Sequence, residues 1–145
     1  MFKHLLLPTD GSELSLAAIR QGVRFAKESN AKITGVSVTP EFHVLTFNTT
    51  MIEDTKEVFL ADSRAQAEAN LALLKRAADA EGVACDTEVA VNDHPYEAII
   101  RVAADKGCDL IMMASHGRRG VQALLLGSET QKVLTHTRIP VLVYR

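Results

Sequence analysis

The sequence predicts an α/β fold, an open and mostly parallel five-stranded sheet with four helices spread over both faces. Three observations predict it. Short apolar or β-branched runs alternate with longer segments of helical period, the pattern of strand–helix–strand units. The run "DLIMMA", residues 109–114, is nearly all apolar, as a parallel strand covered on both faces must be. The chain has 145 residues, close to the size of one domain and enough to bury a core without staples.

Each element follows in order. "HLLLP", residues 4–8, reads as a buried strand, and "PTDGS" as the turn that ends it. Ser12 is placed to cap the next helix, whose inner face is marked by Leu14, Ala18, Gly22 and Phe25. "AKITGVSV", residues 31–38, is β-branched and reads as the second strand. Residues 39–52 have no clean period and read as a loop. Residues 53–81 are long and alanine-rich, with Leu60, Ala67, Leu71, Leu74 and Ala78 on one face and Gly82 as a stop. "VACDTEVAV", residues 83–91, reads as the third strand. Tyr96, Ile99, Ile100 and Ala103 set the period of a short helix that Gly107 ends. Residues 109–114 form the fourth strand. Ser128 to Gln131 fits a capping box that starts the last helix. "IPVLVYR" closes the chain as the fifth strand, with Pro140 tolerated at its beginning. No internal repeat, linker or low-complexity segment interrupts this order, so residues 1–145 read as a single domain.

Composition narrows the function. The net charge is -2 and aromatic residues are few (no Trp, two Tyr, five Phe). Neither suits a nucleic-acid partner, which calls for a basic face or stacking rings. Cys85 and Cys108 form no CxxC, and two thiols in a chain with an adequate core fit a reducing compartment. No apolar run approaches the ~18 residues of a membrane helix, and the three leucines before Pro8 are too few for a signal peptide. The expected location is the cytoplasm, with no membrane partner.

In open parallel sheets ligands sit beyond the carboxyl ends of the strands, so the loops there carry the chemistry. After the fourth strand, "ASHG" is short and small, and its amides can approach an anion. Nine residues after Gly117 comes Gly127-Ser128, a helix start whose N–H groups and dipole suit phosphate. Plain turn and capping chemistry explains the same residues without a ligand. Asp10, in the loop after the first strand, suits Mg²⁺ or a ribose hydroxyl, though Asp-Gly is also a common turn pair. His116 could donate to a phosphate and Arg118 and Arg119 could neutralise one. A lone surface histidine and paired solvated arginines are the commoner cases. His4, His43, His94 and His136 show no metal-ligand spacing. There is no GxxxxGK[ST] and no GxGxxG after the first strand. No GxSxG or HExxH is present, and the adjacency of Ser115 and His116 does not by itself make a nucleophile and base. The clustered acids of a receiver domain are missing too.

The residues "LLLPTDGSELSLAAI" at the front and "DLIMMASHGRRGVQALLLGSETQKVLTHTRIPVLVYR" at the back resemble the universal stress proteins. The nucleotide-binding members carry a G-2x-G-9x-G(S/T) pattern, which reads here Ala114-Ser115-His116-Gly117, nine residues, then Gly127-Ser128. The resemblance implies a Rossmann-like sheet in the order 3-2-1-4-5. It also implies a homodimer through the last strand, residues 140–145, and ATP with Mg²⁺ bound between the loops after strands one and four. In that site Pro8 and Thr9 would flank the adenine side and Val38 would line the adenine pocket. Asp10 would lie by the nucleotide and its metal. Met113 and the backbone of Ala114, His116 and Gly117 would border ribose and phosphates, with Arg118 beside them. Gly127, Ser128 and Thr130 would close over the phosphates, and Glu129 would lie at the same helix start.

Two positions depart from the pattern. Ala114 replaces the first glycine, which is tolerable at negative φ and costly at positive φ. Glu129, expected at the first helical position, suits the dipole but brings a carboxylate to a triphosphate site. At about 6 Å and an effective dielectric of 20, each unit of phosphate charge would repel it by roughly 3 kcal/mol. The leading expectation is a nucleotide-dependent homodimeric switch, at most a slow ATPase. The alternative is a dimeric stress-related scaffold that binds no nucleotide.

Overall fold

The structure, a computed structural model, describes residues 1–43, 49–117 and 126–145, with the backbone alone for 49–54. The elements are β1 (His4–Pro8), α1 (Glu13–Ser29), β2 (Lys32–Thr39), α2 (Thr49–Ala80), β3 (Cys85–Val91), α3 (Pro95–Lys106), β4 (Leu110–Ala114), α4 (Ser128–His136) and β5 (Val141–Tyr144). The five strands form one parallel sheet in the order β3-β2-β1-β4-β5, as the resemblance implied.

Alternation along the strands divides the core into two layers. Leu5, Leu7, Ile33 and Met112 point to one face and pack with Ile19, Val23 and Ala26 of α1 and Leu74 and Ala78 of α2. Leu6, Val36, Ile111 and Met113 point to the other and pack with Ile99, Val102 and Ala103 of α3 and Val133 of α4. β1 is buried on both faces, which is why "HLLLP" is a continuous apolar run. α2 lies so close over β2 that a methyl on Gly35 would collide with Leu74 Cδ2.

Helix ends follow local chemistry. The Ser12 hydroxyl accepts from Ser15 N–H at 3.2 Å and caps α1. Gly82 and Gly107 take φ +69° and +71° where α2 and α3 stop, the left-handed turn that glycine enters without strain.

Three expectations need correction. α2 begins at Thr49, inside the segment expected to be a loop. Leu60, expected on its buried face, is 40% exposed, and burial of that face starts at Ala67. The capping box at Ser128 does not form. Gly127 is the N-cap of α4, no side chain caps it, and Ser128 is the first helical residue. Gln131 instead donates its side-chain N–H to Leu126 O at 2.9 Å. The helix starts one residue early because Gly127 is itself docked on the loop just after β4, its N–H bonded to Ser115 O at 2.8 Å.

Candidate functional site

The chain turns one way from β1 to β2 and the other way from β3 to β4. The carboxyl ends of β1 and β4 therefore flank the switch point. The loop after β1 is held by its own side chains. Thr9 is buried, and its hydroxyl accepts from Gly11 N–H at 3.3 Å and from the Ser15 hydroxyl at 2.9 Å. Asp10 Oδ1 accepts from Ser12 N–H at 2.9 Å, an Asx turn. Gly11 sits at φ +79° in the middle of that turn.

The loop after β4 is buttressed from behind. Ser115 N–H donates to Tyr144 O at 2.8 Å. The buried Thr130 hydroxyl reaches back to Ala114 O at 3.0 Å and Ser115 O at 3.2 Å. Its hydroxyl thus serves the protein backbone, so what Thr130 can offer a phosphate is its N–H. The N–H groups of Ser128, Glu129 and Thr130 have no intrahelical acceptor, because the first bond of the helix runs from Gln131 N–H to Gly127 O.

The two loops meet at Gly117. A Cβ placed there would strike Asp10 Oδ2. A Cβ at Gly127 would lie 3.0 Å from Ser115 O and 3.4 Å from His116 Cα. Asp10, His116, Gly117 and Gly127, scattered along the sequence, thus form one small region with Ser128 on its rim. Val38 and Met113 lie to one side of it, both packed against the α3/α4 layer. Pro8 ends β1 between their strands and, by alternation from Leu6, faces the same layer. Arg118 lies outside the described residues, as do Arg119 and Gly120.

Both departures from the glycine pattern have a local explanation. Ala114 is the last residue of β4, in register with Tyr144. It is not among the positive-φ residues, so a methyl costs nothing in backbone strain. Glu129 is the second residue of α4, one later than expected. Its carboxylate turns toward α3, where Oε2 accepts from Tyr96 N–H at 2.9 Å.

No assembled nucleophile emerges among the described residues. Ser115 Oγ does lie 3.0 Å from His116 Nδ1, but Ser115 is only 2% exposed. Burial pushes the Cys85 and Cys108 thiols up to about 11, so both stay protonated and unreactive near neutrality.

One cluster was hidden from the sequence. Glu41, His43 and Asp93, at the carboxyl ends of β2 and β3, have potential ligand atoms within 4.8 Å of one another. The spacing from 41 and 43 to 93 carries no motif; only the β2–β3 pairing brings them together. All three are exposed. The geometry is accounted for by a hydrogen bond between His43 Nε2 and Asp93 Oδ2 at 2.6 Å, and by Glu41 N–H donating to Asp93 Oδ1 at 2.9 Å.

Comparison with known proteins places this architecture. A model of the universal stress protein family matches residues 1–145. The universal stress protein YxiE of Bacillus subtilis is 33% identical over 149 aligned positions, covering all of both chains. The solved structure of protein MJ0577 of Methanocaldococcus jannaschii superimposes with a TM-score of 0.84 at 27% identity, over 99% of this chain and 96% of that one. Two more distant structures share the fold and are described as nucleotide complexes. One is a universal stress protein with cAMP (TM-score 0.72, 22% identity, 99% and 97% covered). The other is an Archaeoglobus fulgidus universal stress protein with dAMP (TM-score 0.63, 14% identity, 100% and 98% covered). With its whole length matched by the family model and by a relative one-third identical, the chain belongs to the universal stress protein family.

Proposed function

We propose that this chain, acting as one domain over residues 1–145, binds ATP between the loops after β1 and β4. The observation that carries the reading is the meeting of Asp10 and Gly117 at the switch point, beside the open N-terminus of α4. Glycine there lets backbone amides come close to a phosphate, and the helix start adds three N–H groups and a positive dipole. Relatives of the same fold that hold cAMP and dAMP support an adenine nucleotide as the ligand class. Pro8, Thr9, Val38 and Met113 are the adenine and ribose side of this reading. Ala114, His116, Gly117, Arg118, Gly127, Ser128, Glu129 and Thr130 are its phosphate side.

The Asp10 carboxylate is a hard oxygen donor of the kind Mg²⁺ takes alongside phosphate oxygens. Mg²⁺ would supply charge neutralisation there. The protein's own groups orient and bind, and among the described residues none is set to activate water; the proposed role is a nucleotide-dependent switch.

β5 is the last strand of the sheet, and its four residues are all half-buried with only β4 as a partner among the described strands. We propose that two copies pair along residues 140–145, which would close that edge. The chain has no helix, among the described residues, long and apolar enough to cross a membrane, and the proposed site of action is the cytoplasm.

Isothermal titration of the purified protein with MgATP tests the binding claim. Saturable heat at millimolar ATP is expected. A flat titration rejects it in favour of a scaffold that uses the fold without a nucleotide.

A further inference from the structure

Glu129 stands at the helix start that the preceding reading assigns to phosphate. A carboxylate pointed along the axis of α4 would stand among those phosphates. Its side chain goes elsewhere. Oε2 accepts from Tyr96 N–H at 2.9 Å, and Oε1 lies 3.5 Å from Lys132 Nζ. Tyr96 is the second residue of α3, after Pro95, so its N–H is one that α3 cannot satisfy internally. His94 occupies the N-cap but its side chain makes no capping hydrogen bond. Glu129 therefore caps α3 from a different helix. The Tyr96 ring adds to the join, with its centroid 5.1 Å from that of His136 and 5.6 Å from Lys132 Nζ.

We propose that Glu129 is a positioning residue for the phosphate-binding end of α4, an inference that rests on the ATP reading. Anchored to α3, the carboxylate spends its charge on the positive end of that helix. The same anchor fixes the first turn of α4 and holds its free N–H groups toward the loop after β4. An acidic residue in the glycine pattern thus becomes compatible with a triphosphate ligand, because the charge is turned away and already paired.

Titration of the wild type, Glu129→Ala, Glu129→Gln and Glu129→Asp with MgATP, AMP and adenosine, well below the melting temperature, tests it. Adenosine affinity should be the same in all four. Glu129→Ala should lose MgATP affinity by roughly tenfold, the scale of one charge-assisted hydrogen bond. Glu129→Asp, too short to reach Tyr96, should behave like alanine. Glu129→Gln keeps an acceptor for Tyr96 N–H and should stay within about threefold of wild type. A purely structural role would lower the melting temperature and leave the ratio of ATP to adenosine affinity unmoved, which overturns the inference. Tighter ATP binding in both Ala and Gln variants, growing with phosphate number, also overturns it, because the carboxylate would then face the phosphates. A wild type that binds none of the three ligands instead rejects the ATP reading itself, and the inference with it.

Discussion

The two ends of the sheet handle polar groups in opposite ways. At the amino end, polar side chains close on one another. His4 Nε2 lies 2.7 Å from the Thr34 hydroxyl, which donates to Asp86 Oδ1 at 2.6 Å, and Lys106 holds the other Asp86 oxygen at 3.0 Å. Asp109 receives the N–H groups of Lys3 and His4 at 2.8 and 3.0 Å. Because Thr34 gives its proton to Asp86, it must accept from His4, which sets the imidazole as the Nε2–H tautomer. At the carboxyl ends of β1 and β4, the side chains chiefly serve the backbone. Thr9, Ser12 and Thr130 brace the loops, and the outer surface is left to glycine and to helix N–H groups. A sheet end whose side chains satisfy each other has little to offer a ligand. One whose side chains only hold a loop in shape leaves its amides for something else.

That contrast can be broken by experiment. The largest effect belongs to Thr34→Val, which removes the central link of the amino-end chain and leaves Asp86 and His4 short of a partner. It should destabilise by about 2 kcal/mol, because the buried His4 loses its partner while the exposed Asp86 can turn to water, as read by urea unfolding. MgATP affinity of the remaining folded protein should not change. If it does, the two ends are coupled and the division fails.

Gly117→Ala comes next and has the opposite profile. The new methyl must displace the Asp10 carboxylate, the mobile end of a short side chain, so the stability cost should be only about 1 kcal/mol. MgATP affinity should fall by at least roughly tenfold. Combining it with Asp10→Ala should remove most of the stability cost, since the colliding oxygen is gone. Additive costs in the double variant would mean that the two loops do not meet there.

The smallest effect is a pH dependence at the amino end. Burial lowers the His4 pKa below its ordinary 6.5, and Lys32 lowers it further, against the opposing pull of Asp86 and Asp109. A depressed folded value means that the unfolded chain takes up the proton first. The stability tied to neutral His4 is therefore complete above about pH 6.5 and declines as the pH falls from there toward the folded value. His4→Gln should flatten that part of the stability profile. Asp86 titrates in a separate window: burial acts to raise it, but the Thr34 hydroxyl and Lys106 outweigh this and hold it below the ordinary carboxylate value. An unchanged slope between pH 7 and 5.5 in His4→Gln would remove His4 from the account.

What the sequence revealed tracks burial. β1 and β4 are covered on both faces, so their apolar runs were unmistakable, and the alternation of elements was enough for the sheet class. The glycine spacing around Gly117 and Gly127 was visible because close approach admits few residue types. The start of α2 was not, because periodicity records burial and the helix buries no residue between 55 and 66. The capping box failed for a related reason. Ser128 and Gln131 have the right spacing, yet the start of α4 is decided by where Gly127 and Thr130 dock on the end of β4 and the loop after it. The Glu129 link to Tyr96 and the Glu41–His43–Asp93 cluster depend on helix and strand neighbours, which spacing along the chain does not encode.

The amino half of α2 has a consequence of its own. The helix is 32 residues long, about 48 Å at 1.5 Å per residue, while β3 beside it has seven. The sheet can cover only the stretch from Ala67 onward, where Ala67, Leu71, Leu74 and Ala78 are sealed in the core. Before that, side chains such as Val58 at 60% exposure answer to no packing partner in the core. The second half must keep its shape for the core to close, whereas a substitution at an exposed position of the first, such as Val58, leaves the domain beneath it undisturbed.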